Sequence, residues 1–218
     1  MASRILHYVI ATEIVGRLSI DDMDRFIIGS LLPDASQHED DSYAIAHFGE
    51  KHGINCELFE GKYQEEILTD SLYLGYLCHL IADKIWFKRI TDKFVRIHPK
   101  KDRIAYIQKG YEDFQKLNSL LIEEYALSCP TLEFAKLDTQ EIEIQEIRQE
   151  LVAQVLDAFQ EDFNACKKYD NYEFAVYPYE AVRKFISEAV AVCVKEINAL
   201  RNGGEKVDFS IYRKEPRP

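Results

Sequence analysis

The chain has 218 residues, 47% hydrophobic and 30% charged, with a formal net charge of −11. That length suits one large domain, and the acidic excess disfavours duplex nucleic acid as a partner, because its phosphates attract cations. No run of about 18 uncharged apolar residues occurs, which excludes a transmembrane helix; residues 1–8 lack the apolar stretch and small-residue cleavage site of a signal peptide, so a cytoplasmic location is expected.

Apolar residues recur at spacings of three and four along most of the chain, and strand signals are scarce. Ser3 is placed to cap a first helix whose inner face is Ile5, Leu6, Val9, Ile10 and Ile14. Ser19, ahead of Ile20-Asp21-Asp22, reads as the start of a second helix that runs to Leu31 and stops at Leu32-Pro33. Residues 32–53 hold two polar stretches around the apolar piece 43–48, predicting an irregular loop about a short helical turn. Helices are predicted over 55–63, 71–97, 102–127, 140–164 and 179–202. Residues 129–139 are a connection, and 167–178 a tyrosine-rich loop. Gly203-Gly204 ends the last helix, leaving 205–218 as a partly ordered tail. The expected fold is an all-α, single-domain multi-helix bundle over 1–204. The five cysteines, Cys56, Cys78, Cys129, Cys166 and Cys193, are scattered without a CxxC pair and read as reduced thiols.

The most informative segment is Leu77-Cys78-His79-Leu80-Ile81-Ala82-Asp83-Lys84-Ile85-Trp86. It reads as a buried helix, yet His79 and Asp83 are four residues apart and share one face. A buried carboxylate without a partner is costly. A hydrogen-bonded His–Asp pair would satisfy it, and so would a metal ion, which takes both imidazole nitrogen and carboxylate oxygen. Four of the other five histidines lie upstream: His7, His38, His47 and His52. His7 and His47 are flanked by apolar residues and point inward. His38 sits in an acidic loop and reads as solvated, while His52 and His98, at element ends, read as surface residues. Asp34, after Leu31-Leu32-Pro33, is by itself a turn residue.

Together, the early helical His7, the run Phe26-Ile27-Ile28-Gly29-Ser30-Leu31-Leu32-Pro33-Asp34-Ala35, then Ala46-His47-Phe48, then Leu74-Gly75-Tyr76-Leu77-Cys78-His79-Leu80-Ile81-Ala82-Asp83 resemble the zinc-dependent phospholipase C superfamily. That superfamily also holds zinc-dependent single-strand nucleases. The likeness covers residues 4–90. It implies a helical bundle of that type in which Asp34, His47, His79 and Asp83 bind one zinc, and Asp83 bridges to a second ion that His7 also ligates. It further implies hydrolysis of a phosphodiester or phospholipid-like phosphoester by metal-activated water; a ligand carboxylate that is not fully engaged, or the Asp34 side chain, is expected to take the proton of that water.

The chain departs from the family in two places. Secreted members begin the mature chain with a metal-binding Trp, whereas six residues precede His7 here and none is Trp. They also supply a third metal with two histidines and a Glu after the His-x-x-x-Asp turn, whereas only His98 follows Asp83. One zinc site is therefore expected, with a second beside it, and a small phosphoester or lipid head group as substrate. The alternative is a non-catalytic helical scaffold or ligand-binding protein with a structural metal.

Overall fold

Ser3 opens helix α1 (Arg4–Val15): its hydroxyl accepts the Leu6 N–H, satisfying one of the amides that a helix start leaves free. The computed structural model describes residues 2–50, 53–130 and 142–214. Along α1 the predicted face Ile5, Leu6, Val9, Ile10 and Ile14 is buried. Helix α2 (Met23–Gly29) is shorter than its periodicity suggested. Its cap is Asp22 rather than Ser19, because the Asp22 carboxylate takes the Arg25 N–H at 3.0 Å. A 3-10 turn, Leu32–Asp34, follows, then the short α3 (Ser42–Ala46) inside the expected loop. A two-residue antiparallel pair, β1 (Gly49–Glu50) with β2 (Gly53–Ile54), leads to α4 (Cys56–Lys62) and α5 (Gln64–Thr69).

Helix α6 (Ser71–Trp86) is the axle of the molecule, and every residue from Leu72 to Trp86 is buried. Burial on all sides explains why its sequence is apolar all round. It continues into a π-helical stretch, Phe87–Val95, which together with α6 replaces the single helix expected over 71–97. Helix α7 (Arg103–Glu124) returns along the bundle. Helix α8 (Gln149–Asn164) begins nine residues later than its predicted start at 140. Ile142, Ile144 and Ile147 fill the core from a loop, which the Arg148 N–H ties to the Ala35 carbonyl at 2.9 Å. Helix α9 (Tyr179–Asn202) matches its predicted bounds, and Gly203 closes it in the left-handed conformation at φ 68°. The chain then folds back, and a 3-10 turn, Phe209–Tyr212, buries both of its end residues in the core. The expected connection over 129–139, the start of the predicted 140–164 helix and His52 lie wholly or largely outside the described residues. Among the described residues no helix is long and apolar enough to cross a membrane.

The crossing of α2 with α6 fixes where His79 and Asp83 stand. A Cβ on Gly29 would lie 1.9 Å from the Leu72 carbonyl oxygen, and one on Gly75 would lie 2.0 Å from the Phe26 carbonyl oxygen. Neither position accepts a side chain, so the two main chains lie in contact. The glycines of the Gly-x-x-x-Pro-Asp and Gly-x-x-x-His segments therefore have one physical role: they let the two helices approach each other.

Candidate metal centre

His79 and Asp83, one turn apart on α6, meet residues from four other places in the chain. The α2–α6 contact brings the Ser30 carbonyl to His79 Nδ1 at 2.8 Å. A carbonyl only accepts, so Nδ1 carries the proton and Nε2 is left with its lone pair in the neutral ring. His47, at the end of α3, is held in the same way: its Nδ1 donates to the Tyr43 carbonyl at 3.0 Å, and the Tyr43 ring stacks on it at 4.0 Å. Phe48 directly after it adopts φ 47°, a conformation unusual for an aromatic residue. That twist turns the chain away just past the histidine.

The two Nε2 atoms, each unprotonated in its neutral ring, face each other at 3.2 Å. Two lone pairs at that distance repel unless a cation stands between them. Burial pushes His47 down to about 4 and His79 well below the usual histidine range, so both rings are neutral at pH 7 and neither supplies the proton. Two carboxylates flank the pair. Asp34 Oδ1 lies 3.8 Å from His47 Nε2 and 4.0 Å from His79 Nε2; Asp83 Oδ2 lies 3.6 and 3.8 Å from the same atoms. Tetrahedral zinc with ligands at about 2.0–2.1 Å holds its ligand atoms about 3.3 Å apart. The histidine pair has that spacing, and the carboxylates stand a few tenths of an ångström beyond it.

His7 completes the group. Its ring stacks on His79 at 3.7 Å and 8°, and its Nε2 lies 3.4 Å from Asp83 Oδ1. The Ala2 N–H donates to that same oxygen at 2.9 Å. Asp83 thus turns one oxygen towards His7 and the other towards His47 and His79, as a carboxylate between two ions would. His7 Nε2 and Asp34 Oδ1 are buried and lack a hydrogen-bond partner. Two triads, His7/His79/Asp83 and Asp34/His47/His79, each have ligand atoms within 4.8 Å of one another. These donors fit a divalent metal: imidazole nitrogens and carboxylate oxygens with lone pairs inward and hydrogens outward.

Burial pushes the Asp34 carboxyl up to about 6, with His7 opposing and Asp83 reinforcing the shift. For Asp83, burial again opposes ionisation, but nearby positive charge outweighs it and holds the carboxyl well below the usual range. Two cavities reach the group. A smaller one of about 250 Å³ is lined by His47 and Asp83 with Lys84, Phe87 and Tyr212. A larger one of about 880 Å³ is lined by Asp34 with Arg4, Tyr111 and Asn118. Tyr43 and Trp86 line both and form the wall between them.

All five residues singled out from the sequence, His7, Asp34, His47, His79 and Asp83, converge here. His38 is exposed, as expected, though its ring lies against Tyr43 at 4.1 Å, and His98 is half-buried against Tyr106. The sequence did not reveal the orienting carbonyls of Ser30 and Tyr43. Only the four-residue spacing of Tyr43 and His47 hinted at the second. Among the described residues no third group of potential ligands adjoins these two. Comparisons of the chain with protein-family profiles, with curated proteins and with solved structures find no match.

Proposed function

We propose that the protein is a metal-dependent phosphoesterase, with zinc held by Asp34, His47, His79 and Asp83 and a second ion beside it at His7. The observation that carries this reading is the facing pair of unprotonated Nε2 atoms at 3.2 Å, flanked by two carboxylates. A divalent ion there supplies Lewis acidity, lowering the pKa of a water and offsetting charge on phosphoryl oxygens. The chain's own residues orient and exclude. Ser30 and Tyr43 fix the two imidazole tautomers. Tyr43 and Trp86 stand between the two cavities that reach the centre. Asp34, the least buried of the five, faces the larger cavity and is the candidate proton acceptor. The resemblance to the phospholipase C superfamily points to the same reaction class.

Protein purified without chelator, its metal content measured, should carry one or two ions per chain and hydrolyse at least one member of a panel of phosphodiesters and lipid head-group esters. Absence of turnover from fully loaded protein overturns the enzymatic reading; absence of metal after reconstitution overturns the site. A second reading rests on the near-complete burial of His7, His47, His79 and Asp83. A closed four-ligand zinc is structural. In that case metal raises the melting temperature and no turnover occurs.

A further inference from the structure

Large aliphatic side chains stand in solvent on one side of the molecule. Ile97 is 66% exposed, Ile104 67%, Ile107 43% and Tyr111 57%. Ile104, Ile107 and Tyr111 fall at i, i+3 and i+7 of α7, so they form one stripe along its outer face. Ile97 lies on the turn that precedes α7, and that turn is fixed in place. The Arg103 guanidinium donates to the carbonyls of His98 and Arg96, and the His98 ring stacks on Tyr106 at 3.5 Å. The stripe is thus a built surface, with nothing among the described residues covering it.

Its charge is opposite to that of the whole. Residues 97–111 contain four Lys or Arg and one Asp, in a chain of net charge −11. Lys100, Lys101 and Lys109 are exposed, and none pairs with a carboxylate among the described residues. The stripe also leads inward: Ile107 and Tyr111 line the larger cavity, whose wall includes Asp34.

We propose that this face, Ile97 to Tyr111, is a peripheral docking surface for anionic phospholipid membrane. A bilayer interface takes isoleucine and tyrosine into its headgroup–acyl boundary while its anionic headgroups attract flanking lysines. A nucleic acid would use the lysines but give the isoleucines nothing. The arrangement sets the mouth of the larger cavity against the membrane. It stands independently of what the metal centre does.

The test is co-sedimentation of the full chain with vesicles of phosphatidylcholine alone or mixed with phosphatidylserine. Binding to the mixed vesicles should be at least about tenfold tighter and should weaken with salt. Lys100→Glu with Lys101→Glu, and separately Ile97→Ser with Ile104→Ser, should each lower that binding at least about threefold, with melting temperature and metal content unchanged. No preference for the anionic vesicles overturns the proposal. So does binding that falls with the lysine variant but not with the isoleucine variant; single-stranded oligonucleotide competing for the face would then identify it as a general polyanion surface.

Discussion

Among the described residues acid is buried in several places, and two of them are built oppositely. In the His/Asp group the hydrogens point outward, to the Ser30 and Tyr43 carbonyls, and lone pairs fill the centre. In the second place, Glu60 of α4 and Glu196 of α9 are both buried, and the returning C-terminal segment brings the donors. Lys206 reaches Glu60 at 2.6 Å, and the Val207 N–H reaches Glu196 at 2.6 Å. Each glutamate keeps one oxygen without a partner. Burial of carboxylates alone therefore does not mark a metal site. The decisive feature is whether the surrounding groups present protons or lone pairs.

That contrast can be broken at its frame. Gly75→Ala drives a Cβ to within 2.0 Å of the Phe26 carbonyl, where main chain must move. A loss of about 3 kcal/mol or more, at the upper end of overpacking costs, is expected by chemical denaturation. A variant as stable as wild type would show that the helices part without cost.

Metal sharpens the contrast next. Zinc at about 100 times its Kd should stabilise the protein by about 2.7 kcal/mol. His79→Ala should abolish that gain, while Glu196→Gln should leave it intact. A zinc effect lost equally in both variants would mean that the two acidic places act as one.

Smaller effects separate them by pH. Without metal, Asp34, raised to about 6, gives stability that is present below the ordinary carboxylate range and lost as pH rises through 6. His47, lowered to about 4, does the reverse: its contribution is full above about 6.5 and lost as pH falls through 4. His79 is pushed down by burial as well and adds to the histidine direction. With two histidines set against one aspartate, chelator-treated protein should gain stability from about pH 4 to 6.5, as read by thermal melts across that range. Glu60 runs the other way, since burial, reinforced by Glu196, raises it and its contribution fades with rising pH. Glu196→Gln should therefore stabilise the protein more in mildly alkaline buffer than in acid, as read by thermal melts at the two pH values.

The sequence carried the helical architecture and the ligand set for related reasons. Capping serine, apolar spacing and terminal glycine are local signals, and α1 and α9 follow them closely. His79 and Asp83 stood out because a polar pair in an all-apolar helix demands a partner. Errors arose where a tertiary contact overruled local pattern. Asp22 took the cap from Ser19, and three isoleucines ahead of Gln149 pack into the core from a loop. The main-chain groups that orient the imidazoles left almost no mark beyond the Tyr43–His47 spacing, because a carbonyl belongs to every residue. The fold-back of Phe209 and Tyr212 was equally hidden, since two aromatics in a polar stretch do not reveal what they pack against.

The bare crossing of α2 and α6 divides the molecule into parts that respond differently to change. The distance from the Ser30 carbonyl to the His79 imidazole depends on how closely the two main chains approach, so exchanges on the outer side chains do not retune it. The walls are ordinary side chains: Tyr43 and Trp86 between the cavities, Tyr212 and Tyr111 further out. Varying these outer residues alters what fits beside the ligands without displacing them. A library confined to Trp86, Tyr111 and Tyr212 would therefore vary what the cavities admit at a fixed centre, whereas one that touched Gly29 or Gly75 would lose the centre first.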